Sequence, residues 1–198
     1  MCKRLICLAC LGLVQTSIAP ATDSSLVGWW RLDEHSGTVA ADSSPSGNDG
    51  TIQGTPRWVN GQADGALYFD GATTYVELPI GSLIKSLTDA TIAVWVNWTG
   101  SAEPDETQYI FEFGVSGNCY MFLSPGTGSG GPMRFVIRSP LGATEEIVAA
   151  ATALGSGWHH VAVTIDSTNS GLALYLDGER VASSAMTANK LNYMGRTF

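Results

Sequence analysis

Beyond residue 21 the chain never sustains an apolar repeat of helical period. It is cut into short alternating apolar runs by Gly, Ser, Asn, Asp and Pro. Segments of that length cannot bury a helical face, but they suit the half-buried strands of a sandwich or barrel. The clearest strand spans residues 91–98, where Ile92, Val94, Val96 and Trp98 share one face and Ala93, Trp95 and Asn97 the other. Apolar bulk on both faces predicts a central strand. Residues 158–165 read the same way, with His159, Val161, Val163 and Ile165 opposite Trp158, His160, Ala162 and Thr164. Asp177-Gly178 between residues 172–176 and 180–183 predicts a tight hairpin, because both residues tolerate positive φ. Further strands are expected over residues 27–32, 66–70, 75–78, 108–113, 119–123, 133–138, 146–150 and 191–195. A helical turn is expected within residues 80–87 and a flexible loop over residues 126–131.

The first 21 residues read as an export leader. Lys3 and Arg4 precede the apolar run 5–14, and Ala19-Pro20-Ala21 supplies a small-x-small cleavage site after Ala21. The apolar run is too short to span a bilayer, and no later segment approaches that length. Residues 22–198 then form one domain, of a size suited to a single sandwich. Cys2, Cys7 and Cys10 leave with the leader, so Cys119 is the cysteine the exported chain retains, and it reads as a small buried hydrophobe. The formal charge is −8, and losing Lys3 and Arg4 makes the remainder more acidic still. Such a surface repels phosphate backbones, which argues against nucleic acid as a partner.

Five stretches taken in order resemble the laminin-G-like family of the concanavalin-A-like superfamily. They are Gly28-Trp29-Trp30-Arg31-Leu32-Asp33-Glu34, residues 42–50, Ala66-Leu67-Tyr68-Phe69-Asp70-Gly71, Trp158-His159-His160-Val161-Ala162-Val163, and Tyr175-Leu176-Asp177-Gly178. The resemblance implies an all-β, antiparallel jellyroll β-sandwich. It also implies a secreted or cell-surface recognition and adhesion module for carbohydrate or an extracellular protein, belonging with other domains of a larger parent. Family members usually continue past a segment like residues 191–196 into a closing strand. The resemblance therefore implies a domain lacking that strand, with exposed edges. Two alternatives share the fold: an accessory or degenerate polysaccharide-degrading domain, and a structural module assembling through strand edges.

Catalysis is disfavoured by the residues themselves. The β-glucan-cleaving enzymes of the superfamily carry acids at alternate positions of one strand, and no Glu-x-Asp-x-Glu occurs here. Residues 103–106 are acidic but hold a proline, which suits a solvated turn. Glu145 and Glu146 are adjacent, as are His159 and His160, and neighbours on a strand face opposite ways. A histidine beside Trp158 reads as a hydrogen-bonded structural residue. For binding, rings that stack on a sugar's C–H face are the useful groups, and Trp58, Trp98, Tyr109 and Tyr120 are the candidates. Asp42, Asn48 and Asp49 offer the hard oxygens that structural calcium prefers. The same loop is equally explained as a turn held by side-chain hydrogen bonds to its own backbone.

Overall fold

The computed structural model describes residues 3–4, 25–99, 108–128, 130–139, 144–167, 169, 171–186, 189 and 191. Most of residues 1–21, the acidic stretch 103–106 and the strand expected over 191–195, Leu191 aside, lie outside them. The first elements are β1 (Lys3–Arg4), β2 (Val39–Ala40), β3 (Gly50–Gln53), β4 (Arg57–Asn60), β5 (Gly65–Tyr68) and β6 (Tyr75–Glu77). A single helical turn, α1 (Gly81–Ile84), falls where it was expected and precedes β7 (Asp89–Trp98). Then come β8 (Gln108–Tyr109), β9 (Phe111–Ser116), β10 (Cys119–Ser124), β11 (Arg134–Arg138) and β12 (Glu146–Ala149). The series closes with β13 (Gly157–Asp166), β14 (Gly171–Leu176) and β15 (Glu179–Ala185). Among the described residues no helix is long and apolar enough to cross a membrane.

Two four-stranded antiparallel sheets carry the fold, one ordered β15-β14-β13-β7 and the other β12-β11-β10-β9. Their inner faces share one core. Val94, Val96 and Trp98, then Val161, Val163 and Ile165, then Leu172 and Leu174 come from the first sheet. Met121 and Leu123 with Phe135 and Ile137 come from the second. Period-2 alternation sends these residues inward and their neighbours out, as sheet-on-sheet packing requires. A smaller sheet, β2-β3-β6, and the hairpin β4–β5 flank this pair in the chain. Cys119 is fully buried.

The hairpin joining β14 to β15 turns on Asp177 (φ 50°) and Gly178 (φ 87°), the paired positive angles of a two-residue turn whose twist suits the strands. Three sequence expectations need correction. Among the described residues β7 is not central: it ends its sheet, paired with β13. Its second face is the outer one, where Ala93 and Asn97 are exposed and Trp95 is half-covered, its ring centroid 5.3 Å from that of His160. Aromatic cover from a neighbouring strand, not a second layer of protein, explains the apolar pattern. Residues 27–32 form only an isolated bridge, Trp30 with Asp42, because Leu32 at φ 55° leaves the extended region. The run 108–113 divides at Ile110 into β8 and β9. The strands β2, β3 and β4 were not anticipated at all.

β1 pairs in parallel with β8, Lys3 opposite Gln108 and Arg4 opposite Tyr109.

Candidate functional site

The second sheet carries an aromatic face. Along β10, Cys119, Met121 and Leu123 point into the core with no exposure, which turns Tyr120 and Phe122 outward. Register sets their neighbours: Phe122 lies between Glu112 and Val136, and Tyr120 between Gly114 and Arg138. Tyr109 of β8 closes on Phe122 with ring centroids 4.6 Å apart and planes at 56°. Tyr120 lies 6.0 Å from Phe122 and nearly parallel to it, at 21°. Phe122 is thereby sheltered to 6% exposure, and the two tyrosines form the half-exposed wings of one platform. Such separations are those of favourable ring pairs. Gly114 is needed here, since a Cβ at that position would sit 2.7 Å from the Cys119 carbonyl oxygen and 3.0 Å from Tyr120 Cβ.

Polar groups border the rings. The Arg134 guanidinium lies 5.6 Å from the Phe122 ring centroid, a cation–π distance. The Tyr120 hydroxyl donates to a Glu145 carboxylate oxygen. Partial burial and that bond raise the Tyr120 pKa against the opposing pull of Arg138, so the hydroxyl remains a neutral donor at physiological pH. Ile147, opposite Val136 and 40% exposed, extends the apolar strip across β12. Flat rings next to a guanidinium and carboxylates offer a stacking surface with forked hydrogen-bonding groups at its border, the chemistry that seats a sugar ring.

Two of the four expected aromatics, Tyr109 and Tyr120, thus meet through Phe122. The other two lie elsewhere. Trp98 is 7% exposed and belongs to the core, and Trp58, on β4 opposite Leu67, packs against that core half-buried. Phe122, Arg134, Arg138 and Glu145 were missed. Their signal was the alternation Tyr120-x-Phe122 and Arg134-x-x-x-Arg138, legible only once the outward face is known.

Asp42, Asn48 and Asp49 do come together, through hydrogen bonds. Asp42 Oδ1 accepts from the Trp29 and Ser44 N–H groups and Oδ2 from that of Asn48, each at 2.8 Å. Asp49 Oδ1 accepts from the Asp42 N–H at 2.8 Å, and the Asn48 carbonyl accepts from Trp30 Nε1 at 2.9 Å. Burial acts to raise the Asp42 pKa, but the Trp29, Ser44 and Asn48 N–H groups and the Ser44 hydroxyl together outweigh it and the net shift is downward. These bonds are those of a turn held together by its own backbone, a role that needs no metal. The expected result is a melting temperature that is the same in excess calcium as in chelator. A rise of several degrees in calcium that is lost in Asp42→Asn/Asp49→Asn would place the ion at this loop.

Residues 70–198 match a family model, laminin G type 3, described as the concanavalin A-like lectin/glucanases superfamily. The chain belongs to this superfamily. No curated protein matches it significantly. Among solved structures this superfamily member is similar to domain 4 of AbnA, a GH43 extracellular arabinanase from Geobacillus stearothermophilus, determined in complex with arabinotriose. The TM-score is 0.57 at 20% identity, over 76% of this chain and 74% of that one. It is also similar to an S-layer domain-containing protein from Clostridium thermocellum, with a TM-score of 0.53 at 27% identity, over 81% of this chain and 73% of the other.

Within this concanavalin A-like domain the acids of two motif stretches hold turns. Asp70 accepts from the N–H groups of Ala72, Thr73 and Thr74 and from the Thr73 hydroxyl. Asp177 accepts from His159 Nδ1 at 2.8 Å and from the His160 N–H at 2.9 Å. The two histidines face opposite ways: His159 is tied to the hairpin while His160 packs on Trp95. The adjacent glutamates also separate, Glu145 to Tyr120 and Glu146 to the Asn189 N–H.

The bond from His159 holds the Asp177 pKa below its usual value, against a smaller opposing effect of burial and with help from the His160 N–H. A depressed folded-state pKa contributes stability above the unfolded value of about 4, and that contribution fades as pH falls through the folded value. Asp177→Ala is expected to lower stability by about 1–2 kcal/mol at neutral pH, a figure reduced for the half-exposed carboxylate. The deficit should shrink below about pH 4. Urea unfolding at both pH values checks this, and an equal deficit at each would remove the electrostatic part.

Proposed function

We propose that this superfamily member is an exported, non-catalytic module that holds glycan on the outer face of the β9–β12 sheet. The observation that carries the reading is the platform itself: Tyr109, Phe122 and Tyr120 in ring contact on one outward face, bordered by Arg134, Arg138 and Glu145. Rings held in place by mutual contact lose little entropy when a sugar stacks on them, and guanidinium and carboxylate groups bind neighbouring hydroxyls in pairs. Export is supported by the leader-like first 21 residues. The arabinanase domain of the same fold, solved with arabinotriose, makes arabinan the natural first probe.

The exported protein is expected to co-sediment with at least one insoluble neutral polysaccharide, to be released by soluble oligosaccharide of the same kind, and to liberate no reducing ends. Failure to sediment with arabinan, glucan, xylan and chitin alike would overturn the glycan reading. Release of reducing ends would overturn the non-catalytic part and return the domain to the polysaccharide-degrading alternative.

A further inference from the structure

We infer that the molecule carries a second, smaller sugar pocket, separate from the platform, in the cleft between the C-terminal end of β7, the start of β13 and the β4–β5 hairpin. The cleft measures about 350 Å³, at the lower end of the roughly 300–1,000 Å³ typical of ligand sites, room for a sugar residue and not for a chain. Strand register builds it. Asn97 and Trp158 are direct cross-strand partners and so stand on the same side, amide beside indole. Trp98, one residue on, turns the other way and lines the cleft from the core side. Asn60 at the end of β4 and Gln108 of β8 bring two further amides to the lining.

The lining specifies the ligand's chemistry. Three primary amides each present a donor and an acceptor, which matches hydroxyls that also do both. The Trp158 indole, on the same side as the Asn97 amide, supplies flat apolar surface for a C–H face, with Trp98 closing the cleft from the core side. Asp70 is the charged residue among those lining the cleft, and its oxygens are committed to Ala72, Thr73 and Thr74. Among the described residues no guanidinium or ammonium lines it. An uncharged, hydroxyl-rich residue with one apolar face fits, and a carboxylated or phosphorylated one has no counter-charge. Gln108 lines this cleft while the next residue, Tyr109, forms a wing of the platform, as alternation on an extended segment requires. The two sites therefore meet at β8, and a polysaccharide reaching both would bind more tightly than either short fragment alone.

Tryptophan emission separates the sites, because the cleft contains Trp98 and Trp158 and the platform is built from tyrosine, phenylalanine and arginine. The test titrates the exported protein with arabinotriose and with neutral monosaccharides. It compares the unaltered chain, Tyr109→Ala/Tyr120→Ala, and Asn97→Ala, the last at an exposed position that does not support the core. A saturable emission change is expected for at least one sugar. It should persist in the double tyrosine variant, be insensitive to added salt, and weaken tenfold or more in Asn97→Ala. No emission change with any of these sugars, a change lost with the tyrosines, or one unaffected by Asn97→Ala would each overturn the second pocket. The platform stands or falls separately, on its sedimentation test.

Discussion

Phe135→Ala is expected to lower the unfolding free energy by about 3–5 kcal/mol, the range for deleting a fully buried aromatic ring. Phe135 has no exposed surface and is the largest of the fully buried side chains. Its strand places it between Leu123 and Val148, and its ring centroid lies 6.2 Å from that of Phe111. Three strands of one sheet therefore lose a common partner at once. In a close-packed sandwich the surroundings relax only partly, so a cavity adds to the lost transfer energy. For a chain of this size the melting temperature should fall by roughly 10 °C. Ile147→Ala, on the outer face of the same sheet and 40% exposed, should change stability by less than about 1 kcal/mol. Chemical denaturation of both variants checks the assignment of faces. A small loss at Phe135 or a large one at Ile147 would mean that inside and outside have been exchanged.

The second large effect concerns binding. Tyr109→Ala/Tyr120→Ala should weaken affinity for platform-bound polysaccharide by at least roughly 30-fold, because truncating a stacking aromatic anchor commonly costs about 1–2 kcal/mol or more. Both side chains are half-exposed wings, and Phe122 remains on the sheet beneath them. Circular dichroism and the melting temperature should change little. Tyr120→Phe keeps the ring and removes the hydroxyl's bonds to Glu145 and Arg138, so a few-fold loss is expected. Affinity electrophoresis in polysaccharide gels measures all three proteins side by side. Equal losses for Tyr120→Phe and the double variant would shift the weight from stacking to the hydroxyl.

The sequence was most informative where a local rule decides the structure. Asp177-Gly178 allows the positive φ pair of a hairpin, and the alternation over residues 158–165 predicts which side chains enter the core. It was less informative where the answer depends on a distant neighbour. Trp95 looks like core bulk in the sequence, but its cover comes from His160, on another strand. Tyr109 and Tyr120 were recognisable as ligand candidates by residue type alone. Their union through Phe122 depends on how β8 and β10 meet, and no local pattern encodes that. β2, β3 and β4 escaped notice because strands of two to four residues with glycine and polar members carry almost no periodic signal. The Asp42 loop was legible as a turn bonded to its own backbone, whereas the donation from Trp29, thirteen residues away, was not.

The most direct test of the platform is hydroxyl-radical footprinting of the exported protein, read residue by residue by mass spectrometry, with and without a saturating oligosaccharide from the polysaccharide it sediments with. Protection of Tyr109 and Tyr120 is expected on ligand addition, with Val39 and Val181, exposed on other strands, unchanged. Oxidation of Tyr109 and Tyr120 that is the same with and without ligand would contradict it.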